Sequence, residues 1–427
     1  MVQLSKFLAI AAACLVAPAI AHPGEKHDPH VVRREIHTRD SMAAHAKRSL
    51  GGCENTFHAR ELNKRSIARR SRAVQKLRQK RGITAADGHQ VSQKWRRDLA
   101  ALEKWEAIDH NRTGILDYNP ATPESVVFGA NTSFVLSPTI TDGPYYVWGE
   151  VVRQNVKEEL YSDGVDVFLE VQYIDVNTCK PVPGAVVDIW QANATGVYSG
   201  ISESGNYAAD GWDSTYLRGI QQTDRDGVAT FESIIPGHYE GRATHTHLLT
   251  HLNATLLPNK TLKADTGSVA HIGQLFWNEV LRTAVEDTYP YNTNTQDVTS
   301  NAEDMWSIEQ ADSAYDPFPE YIYLGEGLDD GLFAWIQIGI NTTADYTDDS
   351  YYSIAAFHNA DGGYQNADSS FGGGSSGGGA PSGAFGSVPS GTGSVVPSAS
   401  ASGAASWGVN ERGQVRFTLL GEIKYPP

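Results

Sequence analysis

Val165-Asp166-Val167-Phe168-Leu169-Glu170-Val171-Gln172-Tyr173 alternates with the period of a β-strand. Val165, Val167, Leu169, Val171 and Tyr173 share one face, because successive side chains on an extended chain point to opposite sides. Asp166, Phe168, Glu170 and Gln172 share the other, which is mostly polar and expected to meet solvent. Comparable runs follow at residues 185–190, 228–233, 243–249, 271–276 and 333–340, separated by clusters of Gly, Pro, Asn and Asp. Short strands punctuated in this way predict a mainly β protein with an antiparallel β-sandwich core.

Upstream, residues 57–108 are rich in helix formers, and Leu62, Ile67, Ala73, Val74 and Leu77 trace a loose helical stripe, which predicts one or two helices. At the start of the chain, Lys6 precedes a short apolar run that ends in small residues at Ala21, the form of a secretory signal peptide. That run is too short for a bilayer span, and no later one approaches the required length. Downstream, Gly, Ser, Ala and Pro take over and cannot build a core. The expected organisation is therefore a signal peptide (1–21), a disordered or pro-segment (22–48), a basic helical segment (49–115), the sandwich (116–361), a disordered Gly/Ser-rich linker (362–406) and a short tail (407–427).

The formal charge of −16 over 427 residues is uneven, with 15 Lys or Arg against 4 Asp or Glu between Lys47 and Asp98. In a secreted chain the pairs Lys47-Arg48, Lys64-Arg65 and Lys80-Arg81 read as dibasic processing sites or a solvated helical face rather than a nucleic-acid surface. Removal of Cys14 with the signal peptide would leave Cys53 and Cys179, an even pair that suggests one disulfide, with two free thiols as the alternative. Six Asn-x-Ser/Thr sequons, at Asn111, Asn131, Asn193, Asn253, Asn259 and Asn341, agree with passage through a glycosylating pathway of eukaryotic type. The expected location is extracellular, with no membrane or nucleic-acid partner.

The chemistry concentrates between Tyr198 and His247. On a strand His245 and His247 point the same way, so two imidazoles converge on one point. Imidazoles alone suit zinc, copper or iron. Tyr198 and Tyr239 shift the balance, since a phenol becomes a good ligand only when a strongly charged cation holds it as phenolate, which favours Fe(III).

These residues stand within a set of motifs: Gly143-Pro144-Tyr145-Tyr146, Asp188-Ile189-Trp190-Gln191-Ala192-Asn193, Arg218-Gly219, Thr223-Asp224, Asp226-Gly227, Ile235-Pro236-Gly237 and His245-Thr246-His247. As a set they resemble the intradiol ring-cleavage dioxygenases, non-haem ferric enzymes that open catechols between the two hydroxyl-bearing carbons. The resemblance implies a sandwich holding Fe(III) through Tyr198, Tyr239, His245 and His247, with Arg242 as the active-site arginine and Gln274 as the glutamine beside it. It also implies a small aromatic diol and O2 as substrates, a muconate-type dicarboxylic acid as product, and Tyr239 as the phenolate that leaves to accept a substrate proton. The family usually reads Arg-Pro-Ala-His before the second histidine, whereas this chain has Arg242-Ala243-Thr244-His245 and no proline.

Signal peptide, dibasic pairs and sequons suggest a secreted, fungal member of that family. A homodimer is left open, because helical segments support dimers in bacterial relatives but no motif here carries that over. Tyr145, Tyr146 and Trp148 line either a substrate pocket or the sandwich, and His238 and His251 are read as non-ligands. Two other classes compete: a secreted binding module that kept the fold without turnover, and a copper oxidase using His22 as its mature N-terminus.

Overall fold

A computed structural model describes residues 56–83, 102–112, 128, 369 and 136–367, apart from 204, 264–265, 312–314 and 350–351, together with the backbone of two strands near the C-terminus. The signal peptide, residues 22–48, His22, Cys14, Cys53, Asn131 and most of the expected linker lie outside the described residues. Cys179 is disulfide-bonded, and a pairing with Cys53 falls outside them too.

The strands are β1 (Val147–Trp148), β2 (Asp166–Asp175), β3 (Lys180–Pro181), β4 (Val186–Trp190), β5 (Ser202–Glu203), β6 (Asn206–Tyr207), β7 (Arg218–Gln222), β8 (Val228–Ile234), β9 (His245–Leu252), β10 (Ser268–Phe276), β11 (Glu320–Tyr323), β12 (Leu332–Ile340), β13 (Ala356–Asn359), β14 (Gly362–Gln365), β15 (Ser406–Val409) and β16 (Val415–Thr418). The helices are α1 (Phe57–Lys80), α2 (Leu102–Glu106), α3 (Glu279–Glu286) and α4 (Met305–Gln310). One sheet runs β10-β9-β4-β7 and the other β11-β12-β2-β3, with β8 also paired to β2. Strands β15 and β16 form an antiparallel hairpin in a separate unit, residues 376–427.

The β2 pattern builds the sandwich as its alternation requires. Val167, Leu169, Val171 and Tyr173 join Ile336 and Ile338 of β12 in one buried cluster with Val187, Ile189, Leu248 and Leu275 of the facing sheet. Not every pairing is antiparallel: β2 and β12 run parallel, Leu169 opposite Ala334 and Val171 opposite Ile336. A parallel neighbour needs a long crossover, which the chain supplies through the whole stretch between the two strands.

The polar face of β2 is not open to solvent at Glu170 and Gln172, which are buried, whereas Asp166 and Phe168 are partly exposed. Helix α1, capped by Thr56 accepting from Ala59 N at 3.1 Å, covers it. Its inner side carries cations matched to the sheet. Arg70 Nε donates to Glu170 Oε1 at 2.7 Å, Arg69 holds both oxygens of the same carboxylate at 2.9 Å, and Ser66 Oγ donates to Gln172 Oε1 at 2.9 Å. Val74, Phe333 and Trp335 supply the apolar part of the contact. Of the basic pairs in this helix, Arg69-Arg70 is therefore structural. The C-terminal boundary also moves: β14 stands inside the stretch expected to be linker and pairs with β13, which runs parallel to β1.

Burial pushes the Glu170 carboxyl up, but Arg70 and Arg69 outweigh it and hold it below its usual range. Because the unfolded carboxylate binds its proton at higher pH than the folded one, this contribution is present above the unfolded value and lost as pH falls through the folded one. Glu170→Ala leaves the fully buried Arg70 guanidinium without its carboxylate and leaves Arg69 only its 3.8 Å pair to Asp226, and should cost about 3–5 kcal/mol in denaturant unfolding. Arg65→Ala breaks a pair to Asp226 from a side chain 45% exposed and should cost under about 1 kcal/mol.

Candidate metal centre

Strand β9 carries His245 and His247 on its outer face, away from the main core. The neighbouring strands supply flanking groups in register: Trp190 of β4 and Gln274 of β10 both lie opposite His247, and Phe276 lies opposite His245. The Trp190 and His247 rings stack, with centroids 4.7 Å apart and planes 6° from parallel. That packing sets the plane of the imidazole, leaving Nε2 aimed along the sheet at His245 Nε2, 2.9 Å away.

The tyrosines arrive on loops, Tyr198 after β4 and Tyr239 after β8. Two glycines let these loops interlock. A Cβ on Gly237 would sit 2.2 Å from Ala194 O, and one on Gly196, whose φ is +79°, would sit 2.1 Å from His238 O. Gly237 N also donates to Asn193 O at 3.0 Å. The side-chain oxygen of Asn193 accepts from Thr195 N, Thr195 Oγ1 and Val197 N, each at 3.0 Å, which ties this sequon to the loop. As a result the Tyr198 oxygen lies 3.2 Å and the Tyr239 oxygen 3.4 Å from His245 Nε2.

All four side chains are buried, at 4% exposure or less. Burial first, and then the charge of Arg242, pushes the His245 imidazole well below its usual range; burial, His245 and Arg242 do the same to His247. Burial likewise pushes the Tyr198 and Tyr239 phenols up. Burial thus favours the neutral form of each group. His245 Nδ1 is 2.6 Å from Ala243 O, which assigns its proton to Nδ1 and leaves a lone pair on Nε2. That one lone pair faces three neighbours, at 2.9, 3.2 and 3.4 Å, and cannot serve them all. A cation among them can: bonds of ~2.0–2.2 Å place donors about 2.8–3.5 Å apart. The donor set fits a metal ion. Among the described residues no group of three or more His, Cys, Asp or Glu is placed to hold a metal ion.

Arg242 stands beside the cluster, with its Nη1 3.5 Å from the Tyr239 oxygen. Its Nε donates to Asp304 Oδ2 at 2.9 Å and its Nη2 to Gln274 Oε1. The Gln274 amide nitrogen donates to Thr141 O at 3.0 Å, so the glutamine is fixed from both ends. Asp304 was not legible beforehand; its only local signal is that of an N-cap, since Oδ1 accepts from Trp306 N at the head of α4. Its other oxygen explains the missing proline. Asp304 Oδ2 accepts from Ala243 N at 2.8 Å, a bond that a proline at 243 could not make.

The remaining expectations sort cleanly. Tyr145 packs against both tyrosines, with ring centroids 4.8 Å from Tyr198 and 6.4 Å from Tyr239. Tyr146 turns away and donates to Asp188 Oδ2 at 3.0 Å, and Trp148 packs on His251. His238 is engaged by Glu286 and by Gln296 O, and His251 is buried away from the cluster, so neither joins it.

Ala243→Pro should remove the amide bond to Asp304 and cost about 1–3 kcal/mol of stability, the penalty for a buried acceptor losing a donor. Asp304→Asn keeps the shape but removes the charge facing Arg242, and should cost about 3–5 kcal/mol. Denaturant unfolding of both variants measures this, and equal stability to the parent in both would remove Asp304 from the site.

Residues 141–255 match the Dioxygenase_C family model, described as a dioxygenase. Among curated proteins, catechol 1,2-dioxygenase 1 of Acinetobacter lwoffii is 32% identical over 105 residues, which is 24% of this chain and 32% of that protein. The chain thus spans about a third of the curated relative it matches. Among solved structures, an intradiol ring-cleavage dioxygenase from Tetranychus urticae is 30% identical, covering 49% of this chain and 96% of that one, with a TM-score of 0.42. A catechol 1,2-dioxygenase from an Acinetobacter species is 17% identical over 51% of this chain and 65% of that one, with a TM-score of 0.32. By its matched residues and its identity over nearly the whole length of the Tetranychus urticae protein, the chain belongs to the intradiol ring-cleavage dioxygenase family.

Proposed function

We propose that this chain is a secreted non-haem Fe(III) dioxygenase that cleaves catechol-type diols between the two hydroxylated carbons, giving muconate-type dicarboxylic acids. The observation that carries the reading is the gathering of two phenol oxygens and the His247 Nε2 at 2.9–3.4 Å from His245 Nε2, beside a buried guanidinium. Tyr198, Tyr239, His245 and His247 would hold the ion. When bound, ferric iron supplies the charge that stabilises phenolates and binds the diol as a dianion able to react with O2.

The protein groups have separable tasks. Tyr239, whose oxygen lies 3.5 Å from Arg242 Nη1, would be held by the ion as phenolate and in that form would take a hydroxyl proton from the diol as a general base. Arg242, locked by Asp304 and Gln274, presents a fixed positive charge to the negative charge that develops on the attacked ring carbon. Its planar fork is used in three directions, which a lysine ammonium would not reproduce. Tyr145 and Trp190 wall the site with aromatic surface and exclude water from it.

Iron analysis and a visible spectrum test the metal. One Fe(III) per chain with a tyrosinate-to-iron band in the red to burgundy range is expected, and stoichiometric zinc or copper with no band after iron reconstitution would sink the reading. Arg242→Lys should leave iron and colour largely intact while turnover of a catechol panel falls on the order of 10²-fold. Tyr239→Phe should instead shift the band and weaken iron retention, because fewer anions then compensate the ferric charge. Secretion has its own check. Asn253 and Asn259 are exposed in the loop between β9 and β10, so peptide mapping of secreted protein should find glycan there and none on Asn193.

A further inference from the structure

Tyr198 has no ladder to hold it. It lies in a loop, and side chains do the work that a strand would do. Asn206 Oδ1 accepts from Tyr198 N at 2.7 Å while Asn206 Nδ2 donates to Tyr198 O at 2.9 Å. The next residue is held more firmly still. Arg218, fully buried at the start of β7, donates from Nε to Ser199 O at 3.0 Å and to Ser199 Oγ at 2.9 Å, and from Nη2 to Ser199 O at 2.6 Å. The Ser199 hydroxyl donates to Tyr216 O at 2.6 Å, and Gly200 N donates to Ser214 Oγ at 2.8 Å.

A buried guanidinium is expensive to desolvate, and its nearest carboxylate, Glu150, is 3.7 Å away without a hydrogen bond. Spending that charge on one backbone carbonyl makes sense when the carbonyl's direction matters. Here it belongs to the residue after a metal-binding candidate. Arg218 also lies opposite Trp190 in the β4–β7 register, and Trp190 stacks on His247. The two sides of the cluster are therefore braced from one pair of strands.

We propose that Arg218 is a positioning residue for Tyr198: its fork fixes the Ser199 carbonyl and thereby aims the Tyr198 phenol at Tyr239, His245 and His247. The part of this inference that concerns metal rests on the Fe(III) reading above. The part that concerns the loop does not. A lysine at 218 keeps the charge but loses the fork, so it isolates the geometric role.

The test uses the full-length protein with Arg218→Lys and, as a milder change, Ser199→Ala, which removes one of the three contacts. In metal-free protein, amide exchange over residues 198–201 should accelerate at least about tenfold in Arg218→Lys while the β2 and β12 amides keep parental rates. After iron loading the tyrosinate band should move and iron should be lost about 10–100-fold more readily, the range for groups that orient a ligand without touching the metal. Ser199→Ala should shift both readouts in the same direction by less, and it carries the test if Arg218→Lys does not fold. Parental exchange and band in the folded variants would overturn the proposal, as would an acceleration spread equally over β2 and β12, which marks general support of the fold. If the parent itself takes up no Fe(III) and shows no band, the functional reading falls while the exchange result still decides Arg218.

Discussion

Three donor atoms gathered at 2.9–3.4 Å round a fourth, His245 Nε2, and held out of water are the constraint on which the rest of this structure turns. Phenol and imidazole lose their hydration on burial, and burial drives each toward its neutral form. The donors crowded round the His245 Nε2 lone pair outnumber the hydrogen bonds it can accept, and a cation between them would engage them all. The fold therefore has to supply, from packing and hydrogen bonds elsewhere, the free energy that keeps them together.

That supply is layered. β9 fixes the histidines by register alone, and the flanking strands lock their ring planes through Trp190 and Phe276. The loops cannot rely on a ladder, so they lean on each other through Gly196 and Gly237, where any side chain would collide with a backbone carbonyl. Outside them, residues between β10 and β11 close the arrangement. Gln296 donates to Thr195 O, Asn294 donates to His238 O, and Thr299 accepts from Gly241 N. One segment thus touches both tyrosine loops, and its far end carries Asp304 to Arg242.

How much of this could be read from the chain follows from the range of each interaction. The β2 alternation and the glycine punctuation are local, and they located the sandwich strands; the His-x-His spacing put two imidazoles on one face, while the roles of Tyr198 and Tyr239 were read from the family resemblance. Gln274, expected from the motif, lies opposite His247 in the β9–β10 register. Asp304 was not found, because its partner is 62 residues earlier in sequence and its own neighbourhood spells only a helix cap. The polar face of β2 was misread for a related reason. Alternation says which side chains share a face but not what covers that face, and the cover is a helix some 100 residues upstream whose arginines match Glu170. Composition misjudged the start of the Gly-rich stretch as well, since β14 needs only backbone to pair with β13.

The lost proline shows how these ranges interact. A proline between the arginine and the first histidine would stiffen that turn by itself, through its fixed φ. With alanine at 243 the backbone is freer, and the amide that appears is taken by a carboxylate that also grips Arg242. Where a proline would fix the turn covalently, this chain holds it by a carboxylate 61 residues away. The exchange has a cost of a different kind, because a buried aspartate now faces a guanidinium proposed to act on a developing negative charge. Asp304 must hold that guanidinium without neutralising its effect. It does so from the Nε edge, while Nη1 points to Tyr239, so the positive edge that matters for chemistry is the one the carboxylate leaves open.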